Sequence, residues 1–174
     1  MAKLAFSKLG LKPNNNIGTI VHNNLTIEVT DYLPVNNKLE LIGNVINSAI
    51  DDNGYYNEGK VRVYFVLEVI NAYTNITFTD KQREDPCKLY DLLVGNELWE
   101  KVWDLMLASE KEYLESCLAK TIHSIYEYKN SVMGILDIVA QDYSNMNLDA
   151  KNIQQALADP ENMALLKDVL TKLG

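Results

Sequence analysis

Two cysteines, Cys87 and Cys117, and two histidines, His22 and His123, are the chain's whole supply of thiol nucleophiles, soft metal ligands and near-neutral bases. Zinc sites bring such residues together at short spacings, as in CxxC pairs, and no such spacing occurs here. The cysteines therefore read as two free thiols in a reducing compartment. His22 lies beside an asparagine turn with no carboxylate or second ligand near it in sequence, which predicts a solvent-facing residue. His123 falls in a helical pattern without the acid and nucleophile that a triad needs. The adjacent acids Asp51-Asp52 and Glu84-Asp85 sit at turns or helix starts, where solvation and capping account for them. Asp51-Asp52-Asn53-Gly54 has half the composition of a calcium loop. It lacks the DxDxDG spacing and the closing bidentate glutamate, so it reads as a turn. The eight glycines are scattered, with no phosphate cradle, and neither GxSxG nor HExxH occurs. The expectation is a protein with no catalytic, cofactor-binding or metal residues and no cofactor.

Charge narrows the partners. A formal net charge of −8 over 174 residues opposes a phosphate-binding surface, because affinity for nucleic acid rests on clustered lysine and arginine that release counterions. Lys3, Lys8 and Lys12 form the closest basic grouping, at the spacing of a solvated face. No run approaches the ~20 apolar residues of a membrane span, and the start MAKLAFSKLGLK carries lysines where a secretory signal needs an apolar core. These features predict a protein of the cytoplasm that binds neither nucleic acid nor membrane. With 47% hydrophobic and 23% charged residues the composition is that of a globular domain.

The elements that position these residues are organised around Val61–Phe78, VRVYFVLEVINAYTNITF, where only Arg62 and Glu68 are charged. Such a stretch must be buried. Its β-branched residues favour a strand, but the span from Glu58 to Asn75 has no internal turn signal and suits a helix of about five turns. A strand followed by a helix is the alternative, and Thr74–Thr79 reads as the extended exit. Before it, Met1–Pro13 alternates loosely through Leu4, Phe6, Leu9 and Leu11, as a short strand or an arm that docks on a neighbour. Ile17–Val21 and Leu25–Val29 alternate with period two around His22-Asn23-Asn24, a β-hairpin. Asn36 or Asn37 then caps a helix to about Ile50, with Leu39, Ile42, Ile46 and Ala49 inward and Glu40, Asn44 and Asn47 outward.

Beyond the central helix, Thr79 with Gln82 forms a capping box, and Asp85-Pro86 starts a helix that buries Leu89, Leu92 and Leu93 and stops at Gly95. Glu97–Leu107 puts Leu98, Val102, Leu105 and Met106 on one side. Trp99 and Trp103, four apart, share a face that serves either the core or an interface. Ser109 and Glu112 form a second capping box that opens a helix to about Asp142. Its stripe is Tyr113, Cys117, Ile122, Ile125, Val132, Ile135, Leu136 and Val139, with Gly134 as a place to bend. Tyr113, Tyr126 and Tyr128 are flanked by glutamates, so they read as core-edge residues rather than base-stacking ones. Ser144–Asn147 is a polar hinge, and Asp149–Leu173 makes two short helices with Leu166, Val169 and Leu170 on one face.

Lys3-Leu4-Ala5-Phe6-Ser7-Lys8-Leu9-Gly10-Leu11, Tyr32-Leu33-Pro34, Ala72-Tyr73-Thr74-Asn75-Ile76-Thr77-Phe78-Thr79, Lys88-Leu89-Tyr90-Asp91 and Met133-Gly134-Ile135-Leu136 together resemble a family of small bacteriophage and prophage proteins of low-GC Gram-positive bacteria. The resemblance covers most of the chain and brings no catalytic residues with it. It implies a late-expressed virion or tail-module protein of the host cytoplasm or the virion, and the hairpin followed by helices is similar to tail assembly chaperones. The expected fold is mainly α (α+β), a helical domain with a small N-terminal β-hairpin over residues 1–147, and a helical pair, 148–174, packed on the same domain. The expected activity is binding to phage tail or head proteins, with self-association as a homo-oligomer. Its interface candidates are Leu4, Phe6, Leu9, Trp99, Trp103, Leu166, Val169 and Leu170. An inhibitor of a host or defence protein, its acidic surface occupying a basic site, is the rival class. A small enzyme without a recognisable motif is the third.

Overall fold

The computed structural model describes residues 3–12, 16–50 and 56–137. The chain divides into two compact units, Met1–His123 and Ser124–Gly174. The described part is mainly helical with one antiparallel β-hairpin near the N-terminus.

The hairpin pairs β1 (Ile17–His22) with β2 (Leu25–Thr30) in unbroken register from Ile17 opposite Thr30 to His22 opposite Leu25. Its two-residue turn requires positive φ at both positions, and Asn23 and Asn24 supply it at 49° and 62°. Ile20, Ile27 and Val29 face inward and are buried. His22 lies on that same inward side and is half-buried, not solvent-facing as expected.

α1 (Val35–Ala49) begins directly after Pro34, one residue before the expected asparagine cap, and has no side-chain cap. Its buried face is Lys38, Leu41, Ile42, Val45, Ile46 and Ala49. Leu39, expected inside, is exposed. The stripe read from sequence was thus rotated, because Leu39 and Leu41 are equally apolar and only the neighbours of α1 select between them. α2 (Glu58–Tyr73) is the expected central helix, with Asn57 accepting from the Lys60 N–H at its start. Phe65 to Ile70 form a continuous buried run, since α1, α4 and α5 all pack on α2. Fully burying a Val or Ile side chain stabilises by about 1.5–3 kcal/mol. That gain outweighs the small helix penalty of β-branching, a few tenths of a kcal/mol per residue on a scale that reaches only ~0.7 for ordinary residues.

Glu68, the buried charge of this helix, accepts from Asn44 of α1 and from Arg83, each at 3.3 Å. Arg83 ends α3 (Asp80–Arg83), whose start is the reciprocal capping box of Thr79 and Gln82. α4 (Pro86–Gly95) starts as read, with Asp85 accepting from the Lys88 N–H and Pro86 in the first turn. It buries Leu89 and Leu93 and leaves Leu92 exposed. Gly95 is its last residue and is not the left-handed stop. That conformation falls on Glu97, with φ of 56°, just before α5 (Leu98–Leu105). α5 buries Leu98, Trp99 and Val102, Met106 follows it into the core, and Leu105 stays partly exposed.

α6 (Ala108–Lys129) starts before Ser109, so Ser109 and Glu112 lie inside the helix instead of capping it. Only Glu110 and Leu114 are buried along it. Of the expected stripe, Tyr113 is exposed and Cys117 and Ile122 are half-buried, while Val139 lies outside the described residues. Nor does the helix run unbroken to Asp142. It ends at Lys129, turns through Asn130 and Ser131, and residues 132–137 are helical again. Gly134 permits this reversal: a Cβ there would lie 2.1 Å from the Tyr128 carbonyl oxygen. Residues 3–12 hold a single 3-10 turn, Phe6–Leu9, and not a strand. The hinge at 144–147, the tail helices and the expected boundary after 147 lie outside the described residues, as does the Asp51–Gly54 turn.

Two backbone predictions follow from the left-handed positions. Asn24→Val should lower stability by about 1–2 kcal/mol, the cost of forcing a Cβ-branched residue into that region. Glu97→Gly should raise it by up to about 1 kcal/mol. Urea denaturation of both variants measures the difference, and equal midpoints would show that the turn and the α4–α5 break are not held in these conformations.

Candidate functional site

No cluster of three or more potential metal ligands occurs among the described residues. Cys87 is exposed and Cys117 half-buried, both as free thiols. Asp85 is occupied as the α4 cap, 3.1 Å from the Lys88 nitrogen. Among the described residues a buried ion pair lies elsewhere, and sequence reading missed it.

Glu110, in the first turn of α6, is 3% exposed. Its Oε1 receives Lys38 Nζ from α1 at 2.5 Å. Its Oε2 receives the Tyr73 hydroxyl from the end of α2 at 2.8 Å and the Leu33 N–H at 3.2 Å. The Lys38 ammonium also lies 4.3 Å from the Tyr32 ring centre and 4.9 Å from that of Tyr113. Burial, and then the carboxylate that accepts its proton, push the Tyr73 hydroxyl well above its ordinary range. Both carboxylate oxygens accept from protein donors, which fits a structural lock. Surface grooves of about 480, 400 and 280 Å³ are lined by neither Glu110, Lys38 nor Tyr73, although Tyr113 borders the first. The sequence signal was faint: Lys38 sits among the inward positions of α1, and a lysine there demands a buried acid.

A parallel lock holds the base of the hairpin. Asp31 is buried and accepts from the Asn16 N–H at 3.0 Å and from Asn16 Nδ2 at 2.8 Å. Its carbonyl receives the Leu107 N–H at 3.3 Å, joining β2 to the approach of α6.

The interface candidates read from sequence separate into different environments. Trp99 is 5% exposed and stacks on half-buried Trp103 at 4.9 Å between ring centres. Phe65 meets both edge-on, at 6.1 and 5.9 Å. Arg62 covers Trp99 and Lys111 covers Trp103 at cation–π distances of 5.3 and 5.7 Å. Trp99 is thus a core residue, and Trp103 is its half-covered outer layer. Leu4, Phe6 and Leu9 are all exposed, Phe6 at 76%, and Leu11 beside them is exposed too. Leu166, Val169 and Leu170 lie outside the described residues. Sequence reading passed over a further exposed apolar set, Ile17 and Val21 on the outer face of the hairpin, although their alternation with Gly18 and Ile20 was visible.

No family model matches the chain, and no curated protein or solved structure matches it either. The described residues hold no helix long and apolar enough to cross a membrane.

Removing one partner of a buried ion pair costs about 3–5 kcal/mol. Glu110→Ala should therefore be among the most destabilising single changes in the chain, and a loss below about 1 kcal/mol in denaturant melts would contradict the lock. The pH arm has a definite sign. The unfolded chain releases the Tyr73 proton near pH 10.0, whereas the folded chain retains it to higher pH. This contribution is therefore complete below that value and is lost as pH rises above it. Relative to wild type, Tyr73→Phe should lose stability at neutral pH and fall less steeply toward pH ~11. Parallel wild-type and variant curves would show that Tyr73 is not held protonated by the fold.

Proposed function

We propose that the protein is a non-enzymatic bacteriophage morphogenesis protein that acts by binding other proteins, in tail assembly or as a virion component. The observation that supports this reading most is the N-terminal arm. Leu4, Phe6, Leu9 and Leu11 are exposed on a segment with no buried residue in its 3-10 turn, beside Lys3, Lys8 and Lys12 and no acid. Apolar side chains concentrated on a short arm cost free energy in water and gain it when a partner surface covers them. Lysines at this spacing favour a partner whose groove is apolar with an acidic rim. The resemblance to phage and prophage proteins supplies the partner class, tail or head subunits. The buried state of Trp99 removes it from the contact surface and leaves the arm as the principal candidate among the described residues.

The reading is tested by co-purification with the products of the neighbouring phage genes, using wild type and the double variant Phe6→Asp, Leu9→Asp. Wild type should retain a tail or head protein, and the variant should lose it with an unchanged circular dichroism spectrum, since neither side chain is buried. If wild type binds none of those products and instead holds a host protein with an affinity that falls steeply with salt, the inhibitor reading replaces this one.

A further inference from the structure

The two edges of the hairpin are treated differently. Along β2, Thr74 bridges Val29, the Asn75 N–H donates to the Glu28 carbonyl at 3.2 Å, and the Glu28 N–H donates to Asn75 Oδ1 at 3.1 Å. The segment leaving α2 therefore occupies that edge. Along β1 no described residue does so. The register identifies which groups are left over. Asp31 donates to the Asn16 carbonyl, and the residues opposite one another then alternate between bonded and non-bonded pairs, with Gly18–Val29, Ile20–Ile27 and His22–Leu25 bonded. The N–H and C=O groups of Ile17, Thr19 and Val21 accordingly point outward from the sheet.

Edge strands are ordinarily protected by charge, proline or a bulge. Ile17–His22, IGTIVH, has no Asp, Glu, Lys, Arg or proline, and its register runs without a bulge. We propose that β1 is a homodimerisation edge, pairing antiparallel with β1 of a second copy about a two-fold axis at Thr19. The strand is self-complementary in that register. Thr19 faces Thr19, and Ile17 faces Val21 in both halves, so the exposed apolar side chains cover each other on the outer face. On the inner face Gly18 of one copy faces Ile20 of the other. Leu105 already fills the space left by Gly18, with Cδ1 3.0 Å from where a Cβ would lie, and its partly exposed side chain is placed to meet its counterpart near the axis.

Charge favours a second copy at this edge over most other self-contacts. The chain carries a net charge of −8, so two copies repel wherever acids meet, and β1 brings none together. The nearest acid on the outer face is Glu28, opposite Thr19 on β2. In the four-stranded sheet the two Glu28 residues stand three strand spacings apart, about 14 Å, beyond the screening length of ~8 Å at physiological salt. The inference rests on β1 alone and stands whether or not the chain is a phage assembly protein.

Light scattering of the full chain across a concentration series should show a monomer–dimer equilibrium. Thr19→Lys places two like charges opposite each other at an exposed position; it should yield monomer with unchanged circular dichroism, and Val21→Lys should do the same. In a Cys87→Ser, Cys117→Ser background, Thr19→Cys should form an intermolecular disulfide on mild oxidation, since bonded antiparallel pairs bring Cα atoms to about 5.5 Å. Glu28→Cys in that background should stay reduced. A wild-type chain that remains monomeric overturns the proposal. So does a dimer that survives Thr19→Lys without cross-linking at position 19. A dimer abolished by deleting residues 1–12 but not by Thr19→Lys would assign self-association to the arm and overturn it equally.

Discussion

The Glu110 carboxylate is the constraint on which the packing of the first unit depends. Its three donors come from Leu33 between the hairpin and α1, from Lys38 in α1 and from Tyr73 at the end of α2. One side chain in the first turn of α6 therefore fixes three segments distant in sequence. Two buried charges cost several kcal/mol each to desolvate, and their attraction offsets this only with every hydrogen bond in place. Here the carboxylate takes three donors and the ammonium is flanked by the Tyr32 and Tyr113 rings, and the position of the acid in the first turn of α6 adds the favourable field of the helix N-terminus. A network of this kind contributes little net stability compared with apolar packing. It penalises every arrangement in which α1, α2 and α6 do not meet at this point.

Apolar packing supplies the rest. α2 is enclosed by α1, α4, α5 and the strand bridge at Thr74, and the two charges beyond its first turn, Arg62 and Glu68, are handled in opposite ways. Glu68 is buried and shared between Asn44 and Arg83, while Arg62 stays in water over the face of Trp99. The aromatic group of Phe65, Trp99 and Trp103 closes the α2–α5 contact, with edge-to-face and stacked geometry favoured by the ring quadrupoles. A groove of about 280 Å³ beside it, between α2 and α6, is lined by Phe65 and Ile122 with Arg62 and Glu115 at its margin.

The surfaces left for interaction are consequences of this internal economy of donors. Because Trp99 is committed to the core and Glu110 to three donors, neither is available to a partner. The arm of residues 3–12 and the outer edge of β1 are two places where the described chain leaves apolar side chains or backbone groups uncovered. They differ in kind. The arm offers side chains on a short segment, whereas β1 offers a periodic row of backbone donors and acceptors that only an extended strand can match.

Local signals were legible in the sequence wherever one residue type admits one conformation. Asn23-Asn24 dictated the hairpin turn, Thr79 with Gln82 and Asp85-Pro86 dictated two helix starts, and the length of the uninterrupted apolar run distinguished α2 from a strand. Tertiary structure decided what depends on distant neighbours. Leu39 and Leu41 are indistinguishable to periodicity, and the packing of α2 against α1 selected Leu41. Trp99 and Trp103 are likewise indistinguishable in the sequence pattern, and the fold buries Trp99 more deeply than Trp103. The placement of Lys38 and Glu110 has the same origin. A charged residue on an apolar stripe looks like an error until its partner, 72 residues away, is brought within hydrogen-bond distance, and only the folded chain can do that.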